Sequence, residues 1–292
     1  MKPAPFDYLA PQSLAEALAL KAQHGDDAKF LAGGQSLIPA MNFRLVQTSL
    51  LVDLNGLTGL DGIRFEDGEL HLGALARQRA LERAPVVAQY APLLAEALPL
   101  VAHPQIRNRG TLGGSLAHAD PAAELPVVAL ALNARFKAQS SRGERWITAS
   151  DFFKGLFTTD LAADEMLTEV VIPPLPPRTG ACFMEFARRR GDYAIMGVAA
   201  VVTLDDKGHY QQARLVFLNA GDGPVEAKQS AAVLHGQPPS TSALEAAAHA
   251  VDSEINPMGN VHASPEYQRH LARVLTKRAL RVAFERANTT GD

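Results

Sequence analysis

Two glycine pairs constrain this chain more than any other feature of its sequence. They lie in Leu31-Ala32-Gly33-Gly34-Gln35-Ser36 and in Thr111-Leu112-Gly113-Gly114-Ser115. Two adjacent residues without a Cβ let the backbone take conformations closed to other residues, and let successive N–H groups converge on an anion. Gln35, Ser36, Thr111 and Ser115 add side-chain donors at the same places. One such pair alone reads more often as a tight turn with no ligand. Two of them, each flanked by hydroxyls, match the two phosphates of a dinucleotide, and Glu124 beyond the second pair suits a ribose hydroxyl. No GxGxxG segment opens a βαβ unit, so a Rossmann fold is not expected.

The 292 residues exceed the usual size of one compact domain, so two units are expected. The only stretch of linker composition is IPPLPPRTG, whose prolines disfavour helix and sheet interior alike. It divides the chain into residues 1–176 and 177–292. Within the first unit, SLAEALALKAQHG reads as a helix capped by Ser13 and Glu16 and closed by Gly25. AKFLAGG reads as a strand stopped at the first glycine pair, and Pro39 opposes a long helix after it. LLVDLNGL is a strand, and GIRFEDGELHLGA alternates about a Glu-Asp-Gly turn as a hairpin does, which places a subdivision near residues 55–60. VVALALNA fits either helix or strand. Beyond the prolines, ACFMEFARR, AIMGVAAVVTLD and ARLVFLNAG read as three strands, and SALEAAAHAV and PEYQRHLARVLTKRALRVAFERA as amphipathic helices.

Charge and cysteine content narrow the function. A net charge of −3 supplies no basic field for nucleic acid or anionic lipid, so neither is an expected partner. No apolar run approaches the roughly 20 residues of a membrane span, so stable insertion is not expected and the cytoplasm is the simplest location. The single cysteine, Cys182, cannot hold an iron–sulfur cluster or a thiolate zinc site by itself. His118 and Asp120 make at most two ligands of an incomplete metal site, and no metal is assigned.

The segments LAGGQSLIPAMNFRL, IRNRGTLGGSLAHADPAAELP, RRRGDYAIMGVAA and PEYQRHLARVLTKRAL occur in that order. Together they resemble the medium, FAD-binding subunit of the molybdenum hydroxylases, the group of carbon monoxide and xanthine dehydrogenases. The resemblance implies an α+β fold. An FAD-binding domain of two α+β subdomains, of the vanillyl-alcohol-oxidase (PCMH) type, would precede a small α+β domain with a three-stranded antiparallel sheet and helices. It further implies that Leu31 to Ser36 and Thr111, Gly113, Gly114 and Ser115 meet the FAD pyrophosphate. Glu124 would stand near the ribose or phosphates, Leu167 against the cofactor, and Tyr193 over the isoalloxazine. Arg188, Arg189 and Arg190 would stabilise negative charge on the cofactor; read without the resemblance, Tyr193 in an apolar run is core and the arginines are a solvated charge run.

Partners follow from the same resemblance: a small subunit with two [2Fe-2S] clusters, a large subunit with the molybdenum cofactor, and a dimer of such heterotrimers. FAD is expected to be noncovalent, because neither glycine segment offers a residue for attachment. The chain would relay electrons from iron–sulfur cluster to flavin to an external acceptor, with no general acid or base assigned. A self-sufficient flavin oxidase or dehydrogenase, and a flavin-free scaffold with merely structural turns, remain as rivals. Gly113→Val is expected to evict FAD with the fold largely intact.

Overall fold

The computed structural model describes residues 1–289. Its first layer is a three-stranded sheet in the order β1 (Asp7–Leu9), β3 (Leu50–Asp53), β2 (Ala28–Leu31), with β3 parallel to both neighbours. Helix Leu14–His24 connects the outer two strands. Ser13 Oγ accepts the Glu16 N–H at 3.2 Å, as a capping box requires, but Glu16 Oε2 accepts from Gln12 N–H at 2.8 Å, one residue before the cap. Gly25 closes the helix with φ of +50°. Between β2 and β3 a six-residue helix, Leu37–Asn42, carries Pro39 in its first turn, where a missing N–H costs nothing. Ala17, Leu18, Ala28, Leu50 and Val52 close a small core of their own.

The second sheet has five antiparallel strands in the order β4-β5-β10-β6-β7: β4 (Ile63–Glu66), β5 (Glu69–Gly73), β6 (Arg135–Ser140), β7 (Gly143–Thr148) and β10 (Met166–Ile172). The hairpin read from GIRFEDGELHLGA is β4–β5. A two-stranded ribbon of β8 (Phe153–Gly155) and β9 (Thr158–Thr159) precedes β10. Residues 127–131 of the ambiguous VVALALNA segment fall in helix Glu124–Ala131, all eight residues of which are buried. A helix apolar on every side needs neighbours on every side. This one belongs to a single core shared by β5, β6 and β10 and by Ala181, Phe183, Ala199, Val216 and Leu218 of the next sheet.

That third sheet runs β11 (Thr179–Phe186), β12 (Met196–Leu204), β13 (Tyr210–Leu218), the three strands read from the apolar runs, paired antiparallel as the resemblance implies. A two-residue strand, β14 (Val225–Glu226), adds a fourth edge that is too short to leave a pattern in the sequence. Helices Thr241–Ala250 and Pro265–Thr289 cover the other face. Among the described residues no helix is long and apolar enough to cross a membrane.

Candidate functional site

β2 delivers the chain into the first glycine turn. Leu31 O accepts from Leu54 N–H at 2.9 Å, which ends the sheet register, and Gly34 then takes φ of +70°, a conformation that a side chain would strain. Among the described residues, the N–H groups of Gly33, Gly34, Gln35 and Ser36 meet no acceptor within the chain. Four adjacent donors without acceptors form the nest that an anion fills. Gln35 Nε2 turns back to Gly33 O at 3.0 Å and so braces the loop, whereas the Ser36 side chain caps no helix and is exposed.

The second turn is built differently. Thr111 caps helix Leu112–His118 by accepting the Gly114 N–H at 3.1 Å. Leu112 N–H goes to Ala76 O at 3.0 Å, Gly113 N–H to Ala74 O at 2.8 Å and Ser115 N–H to Thr111 O at 3.2 Å. The amides of residues 112–115, expected to meet phosphate, are therefore spent on the fold. A β-carbon on Gly113 would stand 2.5 Å from the Ala74 Cβ. Gly113 is thus a packing glycine, and the expectation that Gly113→Val spares the fold is corrected. This turn retains the Ser115 hydroxyl and close approach at Gly114 as its means of meeting a ligand.

The two turns nevertheless come together. A β-carbon on Gly33 would stand 2.8 Å from the Cα of Gly110, and one on Gly114 would stand 3.7 Å from the Cβ of Ala32. The first turn supplies free donors, and the second supplies the wall against which the first turn packs.

Helix Leu112–His118, about 10 Å long at about 1.5 Å per residue, starts at the second turn, and Asp120 just past its end lines a cleft. The cleft has a volume of about 670 Å³ and is lined by Asp120, Arg188, Tyr193, Asn219 and His262 among others. Tyr193 is 73% exposed, so the core reading of this residue is excluded. Arg188, Arg189 and Arg190 are exposed, and Arg188 Nη1 lies 3.1 Å from His262 Nδ1. Asn219 holds the cleft floor: its N–H donates to Pro121 O at 2.7 Å, and its Nδ2 donates to Ala194 O at 3.0 Å. His262 and Asn219 lie far from either glycine pair in sequence, and no local pattern marks them.

Two other sequence-derived residues are buried. Glu124 is 8% exposed at the start of the buried helix, and burial raises its carboxyl to about 7. Glu185 of β11, which the sequence reading missed, is raised to about 8 by burial and by the neighbouring Glu124, and its Oε2 is buried with no hydrogen-bond partner. Leu167 is 5% exposed and packs in the central core beneath the second turn, where β10 shifts register between Leu167 and Glu169. His118 packs its ring 5.1 Å from that of Phe157, and no cluster of three metal-ligating side chains occurs among the described residues.

Comparison with known proteins agrees with this architecture. Residues 4–175 match the family described as FAD binding domain in molybdopterin dehydrogenase, and residues 181–283 match CO dehydrogenase flavoprotein C-terminal domain. The chain is 46% identical over 290 residues to the 6-hydroxypseudooxynicotine dehydrogenase complex subunit alpha of Paenarthrobacter nicotinovorans, covering 99% of this chain and 98% of the relative. It is 36% identical to the carbon monoxide dehydrogenase medium chain of Hydrogenophaga pseudoflava, covering 98% and 99%. A solved structure of the Hydrogenophaga pseudoflava carbon monoxide dehydrogenase superposes with a TM-score of 0.95 at 37% identity, covering 98% of this chain and 99% of that one. With both family domains matched in order and relatives aligned end to end, the chain belongs to the medium, FAD-binding subunits of the molybdenum hydroxylases, a family of oxidoreductases.

Proposed function

We propose that this chain is the electron relay of a molybdenum hydroxylase. It would bind FAD noncovalently, receive electrons from [2Fe-2S] clusters on a small partner subunit, and pass them to an external acceptor. The observation that carries the reading is the set of four free amides at Gly33–Ser36, closed against the second glycine turn and followed by a cleft that bears an uncovered Tyr193. The residues present fit the cofactor on this count. An anion satisfies the four donors of such a nest, and a tyrosine that is 73% exposed offers a face for a flat ring system to stack on.

In this reading the amides of Gly33 to Ser36, with the Ser36 and Ser115 hydroxyls, hold the pyrophosphate. Leu31, Ala32, Thr111, Gly113 and Gly114 shape the space, and Tyr193 orients the ring system. Arg188 brings a guanidinium to the cleft, a donor suited to a cofactor that gains negative charge. Bound flavin supplies the ability to accept electrons singly and release them singly or in pairs. Glu124 and Leu167 act from behind, as support for the cleft and the second turn. The unit boundary lies at the prolines near residue 176. Substrate would be chosen on a large molybdenum-bearing subunit, in a cytoplasmic dimer of heterotrimers.

Purification from its native host tests this. The expected result is a yellow complex in which the chain copurifies with an iron–sulfur chain and a larger molybdenum-containing chain. Substrate oxidation by the isolated flavin-loaded chain would instead support a self-sufficient dehydrogenase. Colourless protein that takes up no FAD would reduce the turns to scaffold.

A further inference from the structure

Beneath the two glycine turns, three polar side chains tie one turn to the other. Asn55, just past β3, donates from Nδ2 to Ala32 O at 3.0 Å, and Ala32 immediately precedes the first glycine pair. Asn55 Oδ1 accepts from Arg77 Nη2 at 2.5 Å. The other arm of the same guanidinium, Nη1, donates to the carbonyl of Arg109, at the entrance to the second turn. Asp53 fixes Asn55 in place by accepting its backbone N–H at 2.9 Å, and it also accepts from the Tyr8 hydroxyl. A cavity of about 120 Å³ lined by Asn55, Asp61 and Arg77 lies alongside.

The arrangement does more than join two loops. In a planar trans peptide the C=O and the following N–H point in opposite directions. Ala32 C=O and Gly33 N–H belong to one peptide unit, so the hydrogen bond from Asn55 aims the first donor of the nest away from Asn55 and toward the ligand side. The same bond polarises that peptide and strengthens its N–H as a donor. Arg77 then sets how far this peptide stands from the second turn. A guanidinium serves two acceptors at a fixed angle, which an ammonium cannot do.

We propose that Arg77, acting through Asn55, is a positioning residue that aims the Gly33 amide and fixes the spacing of the two turns, and thereby sets affinity for the FAD pyrophosphate. The proposal rests on the flavin-binding reading of those turns, and Arg77 itself touches no ligand in it. It reaches the entrance to the second turn directly, at Arg109 O, and the first turn through Asn55, which separates it from the other arginine pairs of the chain. Arg107, for example, bonds Glu82 and the carbonyls of Val101 and Ala102, away from both glycine pairs.

The test is FAD titration of the full flavin-free chain, followed by flavin fluorescence, for wild type, Arg77→Lys, Asn55→Ala and the double variant. Thermal unfolding of each flavin-free protein is measured in parallel. Arg77→Lys and Asn55→Ala should each weaken FAD binding about tenfold or more, the scale of a lost charge-assisted hydrogen bond. The double variant should be no worse than the weaker single, because the two residues act as one unit. Flavin-free melting should shift far less than the affinity does. FAD affinity within about twofold of wild type in both single variants would overturn the proposal, as would losses that simply add in the double variant. A wild-type chain that binds no FAD would overturn the flavin reading itself, an outcome distinct from these.

Discussion

Gly33 lies against Gly110 so closely that a β-carbon added to Gly33 would stand 2.8 Å from the Gly110 Cα and press on the Arg109 carbonyl. Glycine is required here by contact between two backbones and not by an unusual φ of its own. Gly33→Ala therefore has to part the first turn from the second. The expected outcome is loss of most bound FAD, read from the ratio of visible to ultraviolet absorbance, with a destabilisation of about 1–3 kcal/mol typical of overpacking. Full flavin content in this variant would separate cofactor binding from the meeting of the turns.

The second turn yields a contrasting pair. Gly113→Val drives a side chain into Ala74, so it should lower the melting temperature of the flavin-free chain as well as its FAD content. Gly114→Ala places a methyl 2.7 Å from Thr111 Oγ1 and disturbs the helix cap, at a cost of about 1 kcal/mol. Melting of both flavin-free variants by circular dichroism checks the order. A larger loss at Gly114 than at Gly113 would contradict the packing role given to Gly113.

Tyr193→Ala should leave the melting temperature of the flavin-free chain almost unchanged, because a residue 73% exposed contributes little to the core. It should alter the fluorescence or reduction potential of bound flavin, since aromatic stacking contributes about 0.5–1.5 kcal/mol beyond area burial. Unaltered flavin properties would remove Tyr193 from the site.

How far the sequence reaches is clear from these residues. The strands and long helices were legible because their apolar periods survive in the folded chain, as in β11 to β13 and Pro265–Thr289. The glycine pairs were legible as turns, but not the different use each makes of its amides. That difference depends on Ala74 and Ala76, which approach the second turn from the residues just after β5. Arg77, Asn55, Glu185 and His262 carry no local pattern, since each acquires its role only when distant segments meet. Glu124 was legible as an acidic residue beside the turn, whereas its burial depends on packing against the third sheet.

Glu124 and Glu185 give the flavin-free chain a particular pH response. Burial raises them to about 7 and about 8, from 4.5 in an unfolded chain, so the folded state holds more protons between those values. Stability from this source is complete below about pH 4.5 and is lost as pH rises through 7 and 8. Each carboxyl contributes a slope of up to about 1.4 kcal/mol per pH unit. Melting temperature should fall from about pH 4.5 to about pH 8 and level off above, with a shallower fall in Glu185→Gln; identical slopes would acquit Glu185.

Cys182 is 1% exposed, and burial pushes its thiol up to about 12. It should resist iodoacetamide in the folded chain near pH 8 and react fully in denaturant, as followed by mass spectrometry. Rapid labelling of the native chain would mean that the third sheet opens readily.

The most direct test of the account is a crystal structure of this chain, alone or in its complex, with FAD bound. The pyrophosphate oxygens should lie within hydrogen-bond distance, about 2.7–3.2 Å, of the N–H groups of Gly33 to Ser36, with the flavin ring in the cleft beside Tyr193. A pyrophosphate bound away from residues 33–36, or a ring outside that cleft, would contradict it.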